Sequence, residues 1–135
     1  MKKIVLAFFI VGILSCKTAS LNSISDNSKI SFTVYKITSV KNYNLIYARR
    51  NDSIFKIVSK KNISKDCNKI KINEIYDFKL QSILKNRFKN TKFKAPVNYL
   101  DINCFIFEGD VKICKEKGIY DLYYTENLNG LCYTR

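Results

Sequence analysis

Residues 30–59 read ISFTVYKITSVKNYNLIYARRNDSIFKIVS, and the alternation within them decides the fold. Ile30, Phe32 and Val34 fall on one side of an extended chain, with Ser31, Thr33 and Tyr35 on the other. β-Branched and aromatic residues dominate, and a period of two marks a strand lying on a sheet. The pattern predicts one strand over 30–40, a turn beginning at Lys41-Asn42, and further strands over 43–49 and 54–59. Arg50-Asn51-Asp52-Ser53 joins the last two. With Asn51-Asp52 at the centre, Ile46 and Ala48 share an apolar face with Phe55 and Ile57. The other face carries Tyr47, Arg49 and Lys56 among aliphatics. The expected unit is a three-strand antiparallel meander.

A second stretch fixes a hairpin. Residues 104–114 read CFIFEGDVKIC, with the turn signal Glu108-Gly109-Asp110 between two apolar runs. A loop centred on Gly109 sets Phe107 opposite Val111 and Phe105 opposite Ile113, all four on one side. In that register Ile106 meets Lys112, and Cys104 meets Cys114. A slip of one residue would turn the apolar set to the wrong face, so register and cysteine pairing support each other. Four cysteines follow Cys16, an even number that points to disulfides in an exported chain. Cys104–Cys114 leaves Cys67–Cys132 as the second bridge. A four-cysteine zinc site is disfavoured, because no C-x2-C pair is present.

Elsewhere the pattern is weaker. Residues 59–69 are polar and read as a loop. Over 70–88, Tyr76, Phe78 and Leu80 alternate like a strand, while Ile72, Tyr76, Leu80, Ile83 and Leu84 also follow helical spacing with Asn73 as N-cap. A strand through Leu80 followed by a short helical turn is the preferred reading. Residues 85–96 form a basic loop with the only proline. Ile119, Leu122, Tyr123 and Glu126 fit one short helix, stopped by Asn127 to Gly130. The expected fold is mainly β, with α+β as the alternative: a small curled antiparallel barrel or sandwich, OB-like as one candidate, with one or two short helices.

The first sixteen residues carry a different message. Lys2 and Lys3 precede an apolar run, Ile4 to Leu14, long enough for the core of a secretory signal and too short to span a bilayer. No later segment reaches transmembrane length. Ile13-Leu14-Ser15-Cys16 then resembles the lipobox of bacterial lipoproteins, with an aliphatic residue at −3, a small one at −1 and Cys at +1. The resemblance covers residues 1–16 alone. It implies cleavage before Cys16, a diacylglycerol thioether there and an N-acyl chain, and more than one chain makes anchoring stable. Lys17 at +2 resembles the outer-membrane pattern. The expected organisation is a signal peptide over 1–15, a lipidated cysteine and flexible polar tether over 16–29, and one globular domain over 30–135. The expected location is the bacterial cell envelope, lipid-anchored in the outer membrane and facing either the periplasm or the outside.

The formal charge of +13 loses Lys2 and Lys3 on cleavage and leaves +11. Such a charge favours anionic partners. Lys, Ile and Asn number 20, 18 and 14 of 135 residues; their codons are AT-rich, so genome composition accounts for part of the basicity. Residues 85–94 concentrate it: Lys85, Arg87, Lys89, Lys92 and Lys94 alternate with Phe88 and Phe93, a pattern that grips phosphates or sits among headgroups. The competing reading is a solvated loop whose phenylalanines plug the core. Tyr120, Tyr123, Tyr124 and Tyr133 form either a contact surface or core bulk.

Catalytic signals are weak. The chain has no histidine, which removes Ser-His-Asp and Cys-His nucleophiles and the common zinc-enzyme sites. Ser53-Ile-Phe-Lys56 and Ser82-Ile-Leu-Lys85 match S-x-x-K, yet eleven serines and twenty lysines give about 1.6 such matches by chance. Glu108 and Asp110 are explained by the turn. Asp52-Ser53-Ile54 resembles a short O-glycosylation acceptor. No cofactor or metal is expected. The expected function is a non-enzymatic binding module with a basic surface, held on a membrane through Cys16 and directed to an anionic envelope glycan or lipid or to an envelope protein. Nucleic acid is disfavoured as a partner. The alternatives are an inhibitor or immunity-type lipoprotein acting on another protein and, behind it, an envelope hydrolase.

Overall fold

The computed structural model describes residues 30–62, 66–89 and 101–135. The expected signal peptide and tether, Cys16, Lys92, Lys94 and Pro96 lie outside the described residues. Three strands open the domain: β1 (Phe32–Val40), β2 (Tyr43–Arg50) and β3 (Ser53–Lys60). They form the expected meander, with Ile46 opposite Ile57 and Ala48 opposite Phe55. β4 (Ile75–Tyr76) and β5 (Leu80–Ser82) lead into α1 (Ile83–Phe88). The hairpin β6 (Cys104–Phe107) and β7 (Val111–Cys114) follows, then β8 (Leu122–Thr125), β9 (Leu128–Asn129) and β10 (Cys132–Tyr133). β1 to β5 and β8 join in one sheet, ordered β4-β1-β2-β3-β8-β5. The sheet curls into a half-barrel and ends in two edge strands, β4 and β5. Among the described residues the fold is thus mainly β with one short helix.

Both faces of this sheet are covered. On one, Tyr43, Leu45, Tyr47, Val58 and Leu122 pack against Phe105, Val111 and Ile113 of the hairpin and Ile83 and Leu84 of α1. On the other, Phe32, Val34, Ile46, Ala48 and Ile57 pack against Ile70, Tyr76, Phe78 and Leu128. Ile46, Ile57 and Leu122 are fully buried, each contributing roughly 1.5–3 kcal/mol. A bulge between Val34 and Lys36 keeps β1 useful to both layers. The extra residue shifts the alternation, so Phe32, Val34 and Ile37 serve one core while Tyr35 and Val40 serve the other.

The hairpin has the expected register: Cys104 opposite Cys114, Phe105 opposite Ile113, Phe107 opposite Val111. Lys115 N donates to Asn103 O at 2.7 Å, which makes Cys104/Cys114 a pair without its own backbone bonds. Side chains approach most closely at such pairs, and the disulfide forms there. Gly109 and Asp110 take positive φ in the loop. Cys67 bonds Cys132 and ties the residue 66–70 segment to β10, beside the hydrogen bonds Ile70 N to Leu131 O and Tyr133 N to Asn68 O. Gly130 completes that corner, since a Cβ there would meet Asn62 N at 3.0 Å.

Several expectations change. The helix expected around Ile119 to Glu126 is strand β8. It pairs in parallel with β3, Lys56 beside Leu122, and antiparallel with β5, and its aromatic, β-branched residues suit that slot. Leu122 and Tyr124 face one core, Tyr123 the other. Asn73 caps no helix; it has positive φ and donates from its backbone N to Val34 O. The strand expected through Leu80 is interrupted, pairing only at β4 and β5. The helical turn after it is α1, capped by Ser82 accepting from Lys85 N. The loop expected from Ser59 and that from Lys85 each begin later, because β3 runs to Lys60 and α1 to Phe88.

Candidate functional site

The face expected to carry Tyr47 and Lys56 among aliphatics is roofed by the hairpin, and Lys56 is only 3% exposed. A buried ammonium needs partners. Lys56 Nζ donates to Glu116 Oε1 at 2.6 Å and to Cys114 O at 2.9 Å. Tyr47 Oη donates to the same carboxylate oxygen at 2.6 Å. These bonds hold the Glu116 carboxyl below its usual range, Lys56 first and Tyr47 next. Burial, then the Glu116 bond, pushes the Tyr47 phenol up to about 12. No buried side-chain nitrogen or oxygen among the described residues lacks a partner, and the cluster fastens the chain leaving β7 onto the sheet. It is a structural lock.

The opposite face holds an open groove of about 640 Å³, lined mainly by apolar side chains. Phe32 of β1, Phe55 of β3 and Tyr123 of β8 come from the sheet, and Phe78 and Leu80 from the segment crossing it. Phe55 stacks edge-on to Phe32 at 5.1 Å and lies 5.4 Å from Tyr123. Ile30, half exposed, stands in the lining with Arg50 and Lys79. Asn127 holds the crossing segment in place. Its Nδ2 donates to Asp77 O at 2.8 Å, and its Oδ1 accepts from Lys79 N at 3.2 Å. Asp77 also borders a second, polar hollow lined by Lys69, Lys71, Glu74, Tyr76, Tyr133 and Arg135 among others. Tyr133 packs edge-on to Tyr76 at 5.0 Å and accepts from Asp77 N. Aromatic floor and cationic rim thus run side by side.

The residues singled out in sequence fare differently. Lys85 and Lys89 are exposed at the two ends of α1. Arg87 is held by the fold: Nη2 donates to Ile106 O at 2.6 Å, and the guanidinium lies 5.2 Å from the Phe105 ring. The four tyrosines are dispersed. Tyr123 lines the groove and Tyr133 the polar hollow. Tyr124 packs on the hairpin-side core and bonds Gln81 and Asn86. Tyr120 stands 78% exposed. Of the S-x-x-K pairs, Lys56 belongs to the lock, and the Ser82 hydroxyl bonds Asp121 while capping α1. Ser53 is exposed at the β2–β3 turn. Cys67, Cys104, Cys114 and Cys132 are all in disulfides, so none is a metal ligand. Sequence reading missed the groove because four separated segments build it; the exposed apolar Ile30 beside Phe32 was its one local sign. No family model, curated protein or solved structure matches the chain.

Proposed function

We propose that the chain is a lipid-anchored envelope protein, modified at Cys16, whose domain is a non-enzymatic binding module for an anionic envelope component bearing an apolar group. The observation that carries this reading is the groove itself, with Phe32, Phe55, Phe78, Leu80 and Tyr123 beneath and Arg50 and Lys79 at its side. Aromatic floors with a few placed cations suit amphiphilic ligands. The lock at Lys56 and the capping role of Ser82 leave those groups occupied structurally, and the chain lacks histidine.

The test is binding of the purified, oxidised domain to envelope glycans, lipid vesicles and solubilised envelope protein at low and physiological salt. Arg50→Gln with Lys79→Gln should weaken the anionic hit and flatten its salt dependence. Binding unchanged by these substitutions would move the site away from the groove. Retention of a protein partner alone would favour the inhibitor-type reading instead.

A further inference from the structure

We infer that the end of the sheet bearing Ile30 docks on an anionic lipid surface, with Ile54, Ile75 and Tyr120 among the headgroups and Arg49 and Arg50 at the lipid phosphates. This rests on lipid anchoring at Cys16 and names a source for the groove's ligand, the bilayer itself.

Strand register gathers these residues. Thr33 pairs with Ile75 on one side and Arg49 on the other, and Arg49 pairs with Ile54. Paired residues in adjacent strands share a face, so Ile75, Thr33, Arg49 and Ile54 form one row across four strands. Leu122 lies beside Lys56 in the parallel pair, which puts Tyr120 level with Ile54. Six large apolar side chains are exposed among the described residues, and four of them, Ile30, Ile54, Ile75 and Tyr120, belong to this end. Ile72 follows further along the β1 edge, and Ile106 lies on the outer face of the hairpin. Single exposed apolar residues need no explanation; this convergence does.

The charges point to the occupant. Arg49 lies over the Tyr35 ring at 4.9 Å, and Arg50 precedes the β2–β3 turn. Of the nearby acids, Asp121 is bonded to Ser82 Oγ and Leu122 N, Glu74 accepts from Tyr76, Glu116 is held by Lys56 and Tyr47, Asp52 lies in the β2–β3 turn and Asp77 lines the groove. Isoleucines, a tyrosine and arginines at one end match a headgroup boundary, where aromatic and basic side chains anchor. The chain also brings this end to the bilayer. Thirteen residues, 17–29, separate Cys16 from Ile30, a reach of at most about 45 Å. Tethering makes contact effectively intramolecular, so a weak patch suffices. The groove carries Ile30 and Arg50 in its lining, so it would take an amphiphile directly from that surface.

The chain has no tryptophan, which permits single reporters. Ile54→Trp, Tyr120→Trp and, on the hairpin's outer face, Ile106→Trp are each introduced into the lipidated full chain. Each is reconstituted in vesicles of phosphatidylglycerol and phosphatidylcholine with brominated acyl chains. Tryptophan emission at 54 and 120 should shift to the blue and be quenched by bromine; emission at 106 should not. Replacing phosphatidylglycerol by phosphatidylcholine, or adding Arg49→Gln and Arg50→Gln, should reduce the quenching at 54 and 120. Co-flotation with vesicles reports the anchor separately. Flotation with equal quenching at all three positions, or with none, overturns the docking and leaves the anchor standing. Loss of flotation removes the anchor and the docking with it.

Discussion

At the Gly109 end of the sheet, Phe107 lies 5.2 Å from Tyr43 and Lys60 pairs with Glu108 at 2.6 Å. At the Ile30 end, Ile75 and Tyr120 are largely exposed, Ile54 is 37% exposed, and Arg49 and Arg50 are exposed. One sheet therefore ends in two ways. Where β6 and β7 roof it, even a lysine is buried and paired; beyond the hairpin's reach the same alternation of residues leaves apolar side chains uncovered. Burial at each position follows from which segment returns over it, and on the hairpin side of the sheet only the Gly109 end receives such a segment.

Removing the bonds that close the packed layers should have the largest effects. Cys67→Ala with Cys132→Ala opens a loop between cysteines 65 residues apart and should cost about 4 kcal/mol on the chain-entropy model. Cys104→Ala with Cys114→Ala spans 10 residues and should cost about 3 kcal/mol. Urea denaturation of both oxidised variants checks the order, and a larger loss from the hairpin bridge would contradict it.

The lock at Lys56 sharpens the contrast. Glu116→Ala leaves an ammonium buried without its counter-ion and should cost about 3 kcal/mol. Lys56→Met leaves Glu116, whose side chain is 50% exposed, for water to solvate, and should cost nearer 1 kcal/mol. Equal losses in thermal denaturation would show that the asymmetry of burial does not govern this pair. The same cluster sets an alkaline limit. The folded state holds the Tyr47 proton to about pH 12, so Tyr47 contributes its stability below the ordinary phenol value near pH 10 and loses it between the two. Tyr47→Phe should make the fall of stability over that window shallower, as followed by denaturation at fixed pH. Smallest of all, Ile54→Ser and Tyr120→Ser should each change stability by no more than about 0.5 kcal/mol. A loss near 2 kcal/mol from either would mean that the Ile30 end is packed after all.

How much was legible follows from locality. The meander and the hairpin declare themselves because period-two alternation and turn chemistry act between near neighbours, and the Cys104–Cys114 pairing follows from the hairpin register. β8 is illegible for the opposite reason. Leu122 and Tyr123 fit a helical spacing until Lys56 and Ile57, far back in the chain, offer a sheet edge. Lys56 looks like a surface residue until Glu116 arrives from beyond the hairpin. Arg87 reads as a free cation in a basic run, yet Phe105 and Ile106 hold it. The groove draws on Ile30, Phe55, Phe78 and Tyr123, and no window of sequence contains them together.

The most direct measurement of the difference between the two ends is hydrogen exchange on the chain carrying the proposed lipid at Cys16, compared in detergent micelles and in phosphatidylglycerol-containing vesicles. Amides around Arg50 to Phe55, Ile75 and Tyr120 should gain protection in the vesicles, while those of Ile106 to Lys112 should exchange alike in both. Protection gained in the hairpin instead, or equally at both ends, would contradict the account.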